Sequence, residues 1–356
     1  LFAITNPVPN MGAVSALINT EHQQTGEIDV VKPLITFGKK KSAVSLAKKG
    51  ANISAFETEQ SKMQLIADVK KTFHGVLLAA QAVKLQEESV SRAKAHVDEV
   101  QKLYDAGLGT KLDSIRSNTE LQSAKEQLTI AKKNHALALK ALNNLLGYDF
   151  NNELKISETG AFKDITPAPL DSYISLAMRN RSELRQITLG KEAAALQTDL
   201  NRDKPVVALA GMWYFRSRGS MFLGQDSWRA VVACEMPLYD DKLARSKVAQ
   251  SKLRERDLEL KETDLINGIK IQVQNAYLET TEAEGRLETS ESILKAAEEG
   301  YRIASLSYKE GLATEIDVLD AAHNLTGAGL NHAKARYDYE IAKADLAFAC
   351  GAPSIE

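Results

Sequence analysis

Tyr104-Asp105-Ala106-Gly107-Leu108-Gly109-Thr110-Lys111-Leu112-Asp113 returns 204 residues later as Tyr308-Lys309-Glu310-Gly311-Leu312-Ala313-Thr314-Glu315-Ile316-Asp317. Tyrosine, glycine, leucine, threonine and aspartate coincide. The same offset pairs Leu121 with Leu325, Ala124 with Ala328, Ala131 with Ala335, Ala138 with Ala342, Leu142 with Leu346 and Gly147 with Gly351. Run backwards, it pairs Val69 with Val273 and Pro33-Leu34 with Pro237-Leu238. No gap is needed from Pro33 to Gly147, so the chain is a duplicated unit, and a repeat of this kind sets the architecture before any local signal does.

Each copy reads as strand, long helix, glycine turn, shorter helix. Val69, Val76, Val83, Val90, Val97 and Tyr104 recur every seven residues, and Val273, Thr280, Leu287, Leu294, Tyr301 and Tyr308 keep the step with one polar lapse. A seven-residue stripe is a coiled-coil seam. A second stripe follows each turn, at Ala124, Ala131, Ala138 and Leu145, and at Ala328, Ala335, Ala342 and Ala349. An ordinary helical bundle explains these stripes equally well; length argues against it. No proline interrupts Gly38 to Ala106, which permits a helix of about 69 residues, or roughly 100 Å. The helix after the turn, ending near Leu146, reaches only about 57 Å. Leu170 to Arg202 has the apolar spacing of roughly 30 helical residues and would cover the remainder, as in an extended tube wall.

Strands are expected near 12–20, 28–35, 206–215 and 228–238. The last two flank the loop Arg216 to Ser227 and are rich in Val, Trp, Tyr and Phe. Trp213, Tyr214, Phe222 and Trp228 cluster near that loop, as an interfacial aromatic belt would. The core of a small soluble sheet would look the same. The longest apolar stretch, Val206 to Phe215, is too short for a transmembrane helix, whereas the short strands of a membrane barrel remain open. Four strands cannot close a barrel, and an open edge is not viable in lipid. Membrane strands here imply several chains sharing one barrel.

Composition narrows the function classes. A net charge of −2 gives no pull toward nucleic acid. Cys234 and Cys350 fit neither a metal spacing nor a disulfide framework. The six histidines, His22, His74, His96, His135, His323 and His332, make no HExxH pair. There is no P-loop, no GxSxG and no dinucleotide turn. The expectation is a protein that is not an enzyme, with no cofactor and no metal site. The chain opens Leu1-Phe2-Ala3, so either a signal has been removed or the native start is missing.

Tyr-x-x-Gly-Leu-x-Thr-x-x-Asp, followed by a heptad helix ending Leu145-Leu146-Gly147, resembles the repeat of TolC-like outer-membrane efflux proteins. Tyr308 to Leu319 is the closer copy. Arg181-Ser182-Glu183-Leu184 stands where relatives commonly read Arg-Pro-Glu-Leu, with the proline lost. The resemblance covers about 90% of the chain. It implies a mainly α fold with a β-barrel portion. Three chains would form an α-helical barrel continuous with a 12-stranded outer-membrane β-barrel. Residues 1–147 would be the first structural repeat, 148–169 an equatorial connector, 170–351 the second repeat and 352–356 a C-terminal tail. The second copy has a helix ahead of its hairpin and the first begins almost at its strands, so N-terminal helices are apparently missing.

The implied function is a trimeric exit duct for efflux or type I secretion, in outer-membrane lipid and extending into the periplasm. Its tips would dock a periplasmic adaptor and, through it, an inner-membrane transporter. A soluble periplasmic coiled-coil scaffold or adaptor is the alternative, though it should carry one hairpin rather than two. Asp317 and Asp320 are three apart on one helix face; around a trimer axis they would form two carboxylate rings favouring cations. Two solvated aspartates are the plainer explanation. Asp113 and Tyr308 would hydrogen-bond between neighbouring hairpins and hold the tip shut. Gly107, Leu108 and Thr110, with Gly311, Leu312 and Thr314, make the tips, and an exposed leucine beside each glycine turn suits a docking partner.

Overall fold

The computed structural model describes residues 23–149, 168–202, 204–218, 225–236 and 242–354, with 152, 154 and 156. The chain order is β1 (Gln23–Ile35), α1 (Lys39–Asp105), α2 (Lys111–Leu145), α3 (Leu170–Asn180), α4 (Ser182–Leu200), β2 (Val206–Arg218), β3 (Gln225–Glu235), α5 (Leu243–Lys309) and α6 (Glu315–Ala349). The strand expected at 12–20, most of the connector and Pro237-Leu238 lie outside the described residues.

The duplication holds to the residue. Both ends of α5 lie 204 positions after those of α1, and both ends of α6 lie 204 after those of α2. Each long helix has 67 residues and each return helix 35, or roughly 100 and 50 Å at 1.5 Å per residue. The proline-free run that forecast the long helix is therefore helical almost throughout.

The chain divides into two compact units. The first contains the described residues up to Ala55 together with Arg185–Thr263. Its strands form one antiparallel sheet in the order β1-β2-β3. Ile28 faces Trp213, which faces Trp228, and Val31, Ala210 and Val231 form a row on the opposite face. The pairing of β1 shifts between Pro33 and Ile35, where proline has no N–H to donate. β1 and β2 extend past their expected limits into Gln23–Glu27 and Arg216–Arg218. Those residues have weak strand propensity of their own; cross-strand pairing carries them. Next to the sheet, α4 is pinned to both long helices. Asp199 accepts from Ser42 Oγ on α1 and Lys204 Nζ (2.9 and 2.7 Å), Asn201 donates to Ser251 Oγ on α5 (2.7 Å), and Lys191 pairs with Glu262 (2.7 Å).

The second unit contains Phe56–Leu184 and the residues from Asp264 onward. Its main cluster packs Tyr173 and Ala177 of α3 against Ile269, Val273 and Ala276 of α5 and Leu346, Ala349 and Cys350. Most of the small-residue stripe is buried, at Ala124, Ala131, Ala328, Ala335, Ala342 and Ala349, while Ala138 and Leu145 are half-buried. Small side chains there let helices approach closely, and a Cβ on Gly329 would stand 3.3 Å from Leu85. The polar lapse at Thr280 is satisfied, since its hydroxyl donates to Ala276 O at 2.8 Å.

One helix is two. The stretch expected as a single helix from 170 breaks at Arg181, which is extended (φ −63°, ψ 119°). The buried guanidinium donates to Phe348 O and Gln272 Oε1 and sits 3.4 Å from Glu183. Gly351, at φ +67°, packs against the joint; a Cβ would meet Arg181 N at 3.2 Å. Both cysteines are free: Cys234 is exposed, and Cys350 is buried, which pushes its thiol up to about 11.

Candidate functional site at the helical tips

Each long helix ends in the same turn. Leu108 N donates to Leu103 O at 2.9 Å and Leu312 N to Ser307 O at 2.7 Å, while Gly107 and Gly311 take φ +74° and +73°. That left-handed step closes the orphan carbonyls of a helix end and strains any residue with a Cβ. The next helix then starts in a capping box. Thr110 Oγ1 accepts from Asp113 N, and Thr314 Oγ1 from Asp317 N, while each aspartate Oδ2 accepts from the threonine N–H and hydroxyl. The two tips are thus copies in hydrogen bonding as well as sequence.

The leucines between these devices are bare. Leu108 is 80% exposed and Leu312 78%. Asp317 and Asp320 are exposed and three apart on α6. The Thr314 hydrogen bonds hold the Asp317 carboxyl below the usual carboxylate range. Asp113 is half-buried and committed to Thr110. Tyr308 is half-buried. Burial first, then the charges of Glu315 and Asp113, pushes its phenol up, so it stays a neutral donor. The carboxylates of Glu315 and Asp113 lie near it.

Sequence reasoning missed the residues behind Tyr308. His96 of α1 and Glu315, the first residue of α6, meet at 2.8 Å with side chains 9% and 2% exposed. The His96 and Tyr308 rings lie 5.4 Å apart. A second such pair, His323 of α6 and Glu120 of α2, meets at 3.1 Å, and Lys309 reaches Glu99 at 3.3 Å. The available signal was a break in the repeat: Glu315 replaces Lys111 and His96 replaces Gly300. Among the described residues, no group of three or more His, Cys, Asp or Glu is placed to hold a metal ion.

The model of the family described as "Outer membrane efflux protein" matches residues 12–148 and 173–352, both tips included. The chain belongs to the outer membrane efflux protein family. Membership places it in the outer membrane of a Gram-negative bacterium, extending into the periplasm. Alkaline protease secretion protein AprF of Pseudomonas aeruginosa is 22% identical over 326 residues, covering 87% of this chain and 66% of AprF. Outer membrane protein TolC of Escherichia coli is 21% identical over 333 residues, with the same shares. The chain thus spans about two thirds of the length of these relatives. Among solved structures, VceC from Vibrio cholerae superposes with a TM-score of 0.73 at 16% identity, covering 93% of this chain and 87% of VceC. The open-state MtrE outer membrane channel of Neisseria gonorrhoeae gives 0.73 at 18% identity, covering 93% and 80%. These likenesses establish the fold of an outer-membrane efflux channel protein. No helix among the described residues is long and apolar enough to cross a membrane.

Proposed function

We propose that three copies of this chain assemble into one exit duct, with four strands from each closing a 12-stranded barrel and the hairpins forming a periplasmic tunnel. The fourth strand of each chain would come from residues 12–20. The duplicated hairpin, matched to the residue in helix ends, turns and caps, carries this reading. Two equal staves per chain suit a cylinder wall and have no use in a scaffold that needs one. Strands of 11 to 13 residues are long enough to cross a bilayer when tilted. The outer edges of β1 and β3 are unpaired among the described residues, and lipid tolerates no open edge. Leu112, Ile115, Ile130 and Leu137 on α2, and Ile271, Leu278, Ile293 and Ile303 on α5, leave apolar faces exposed, which neighbouring copies would cover.

In this duct the carboxylates of Asp317 and Asp320 ring the narrow end and favour cations. Asp113 and Tyr308 latch the hairpins, and the leucine tips dock a periplasmic adaptor that couples to an inner-membrane pump or secretion machine. Mass measurement in detergent tests the assembly: a trimer is expected, and a detergent-free monomer without channel activity returns the protein to the scaffold class. Single-channel recording tests the latch. Asp113→Ala combined with Tyr308→Phe raises conductance in planar bilayers, and unchanged conductance removes those residues from the gate.

A further inference from the structure

The two histidine–carboxylate pairs cross the same seam. His96 and Glu120 belong to the first hairpin, Glu315 and His323 to the second, and both pairs end on α6. His96, Glu120 and His323 also line one cavity of about 100 Å³, together with Arg92, Gln86 and Gln127. Glu315 is the more demanding member. Its side chain is 2% exposed, and Oε1 has no hydrogen-bond partner among the described residues. A carboxylate buried so deeply calls for a counter-charge, since an uncompensated buried ion is costly.

We infer that these pairs form a proton-tightened clasp that positions the second tip against the first. Protonated, His96 supplies the counter-charge that Glu315 lacks, and the seam closes. Neutral, it offers one hydrogen bond and no charge, and the seam loosens. Around the pair stand Arg92 of α1 and Tyr301 of α5, which line the cavity beside His96, and Tyr308, whose ring lies 5.4 Å from that of His96 with Glu99 and Asp113 nearby. Lys309 and Glu99 are paired with each other. Histidine as a residue type gains its charge on the acidic side of neutrality, so the expected sign is tips held together at mildly acidic pH and released as pH rises. The clasp deepens the duct reading, on which it rests, by giving the narrow end a regulator.

Spin labels at Asp105→Cys and Glu310→Cys, in the full chain with Cys234→Ser, read the tip separation without needing a channel. The expected result is a short, narrow distance distribution at pH 5.5 that lengthens and broadens at pH 8. His96→Gln should give the broad distribution at both values. His96→Lys, which keeps its charge, should give the narrow one at both, and this variant decides the matter where His96→Gln folds poorly. His323→Gln should reduce the shift less, because His323 is exposed. A pH shift that survives in His96→Gln, or is absent from the parent, overturns the clasp. Conductance measured on the same samples separates the two readings. A conducting channel with pH-independent tips leaves the duct standing without the clasp, and a pH-dependent seam without conductance does the reverse.

Discussion

Thr314 Oγ1 donates to Asp317 Oδ2 at 2.7 Å and accepts from Asp317 N at 3.3 Å, so the carboxylate proposed to ring the narrow end also starts the helix that carries it. Asp317 therefore combines a local structural duty with any role in the lumen, whereas Asp320, one turn on, has no part in the cap. The two are separable. Asp320→Asn is expected to lower the cation-to-anion permeability ratio with little change in thermal midpoint; Asp317→Asn should lower both. Thr314→Ala removes the cap and costs about 1 kcal/mol. Reversal potentials across a KCl gradient give the permeability ratio, and an unchanged ratio in Asp320→Asn sinks the ring.

The same hydrogen bonds fix a pH dependence. Asp317 has a depressed folded pKa, so its contribution to stability is fully present above the unfolded carboxylate value of about 3.9. It is lost as pH falls through the lower folded value. Cation preference should therefore persist unchanged at pH 5. A preference that fades between pH 6 and 5 assigns the selectivity to some other group.

Much of this was legible in the sequence, for one reason. The repeat constrains two copies at once, so Gly107 with Gly311 and Thr110 with Thr314 specify turn and cap twice over. The helix ends follow from Gly38, Gly107 and Gly147 and from Gly311 and Gly351, whereas Lys242 takes the positive φ of Gly38 in the second copy without a glycine to mark it. What the repeat could not show lies where the copies differ. The break at Arg181 has no first-copy counterpart among the described residues, and its cause is a tertiary contact with Phe348 and Gln272, distant in sequence. His96 and Glu315 come together from 219 residues apart. Neither alone has a motif, and burial of the pair depends on how α1 meets α6. Apolar periodicity places a helix face; it does not say which polar residues on that face find one another.

Trp213 and Trp228 are the only tryptophans and lie directly opposite on β2 and β3, both exposed. Intrinsic tryptophan fluorescence therefore reports on this sheet alone. Exposed tryptophan pairs of this kind suit the headgroup boundary, where an amphipathic ring is favoured. In reconstituted vesicles, lipids brominated near the headgroup should quench the emission more than lipids brominated near the chain ends. Quenching by aqueous iodide alone, with no effect of brominated lipid, would falsify a membrane position for β2 and β3.

Arg181 should be the most sensitive polar position in the second unit. Its guanidinium serves Phe348 O, Gln272 and Glu183 from a buried site, and also lies 5.6 Å from the Phe348 ring centre. Arg181→Ala strands those partners and is expected to cost roughly 3–5 kcal/mol. Arg181→Lys restores charge but cannot reproduce the planar fork, so it should fall between. Thermal unfolding in detergent ranks the three; an alanine variant as stable as the parent would show that the α3–α4 joint is held by packing alone.

Leu108 and Leu312 contribute nothing visible to the fold. Each is about four-fifths exposed, while the turn it sits in is fixed by backbone hydrogen bonds and the preceding glycine. Replacing both by serine should therefore leave trimer mass and thermal midpoint within about 0.5 kcal/mol of the parent, as for surface changes generally. A leucine that stabilises nothing in its own chain has a use only if another molecule covers it, and burying each on docking would contribute roughly 1.5–3 kcal/mol. In the proposed trimer, two tips per chain would make six such contacts acting together, so losing all of them should abolish capture rather than weaken it. Crosslinking to a periplasmic adaptor through a nearby exposed position, such as Lys111→Cys, checks this. Adaptor capture that persists in the double serine variant moves docking away from the tips.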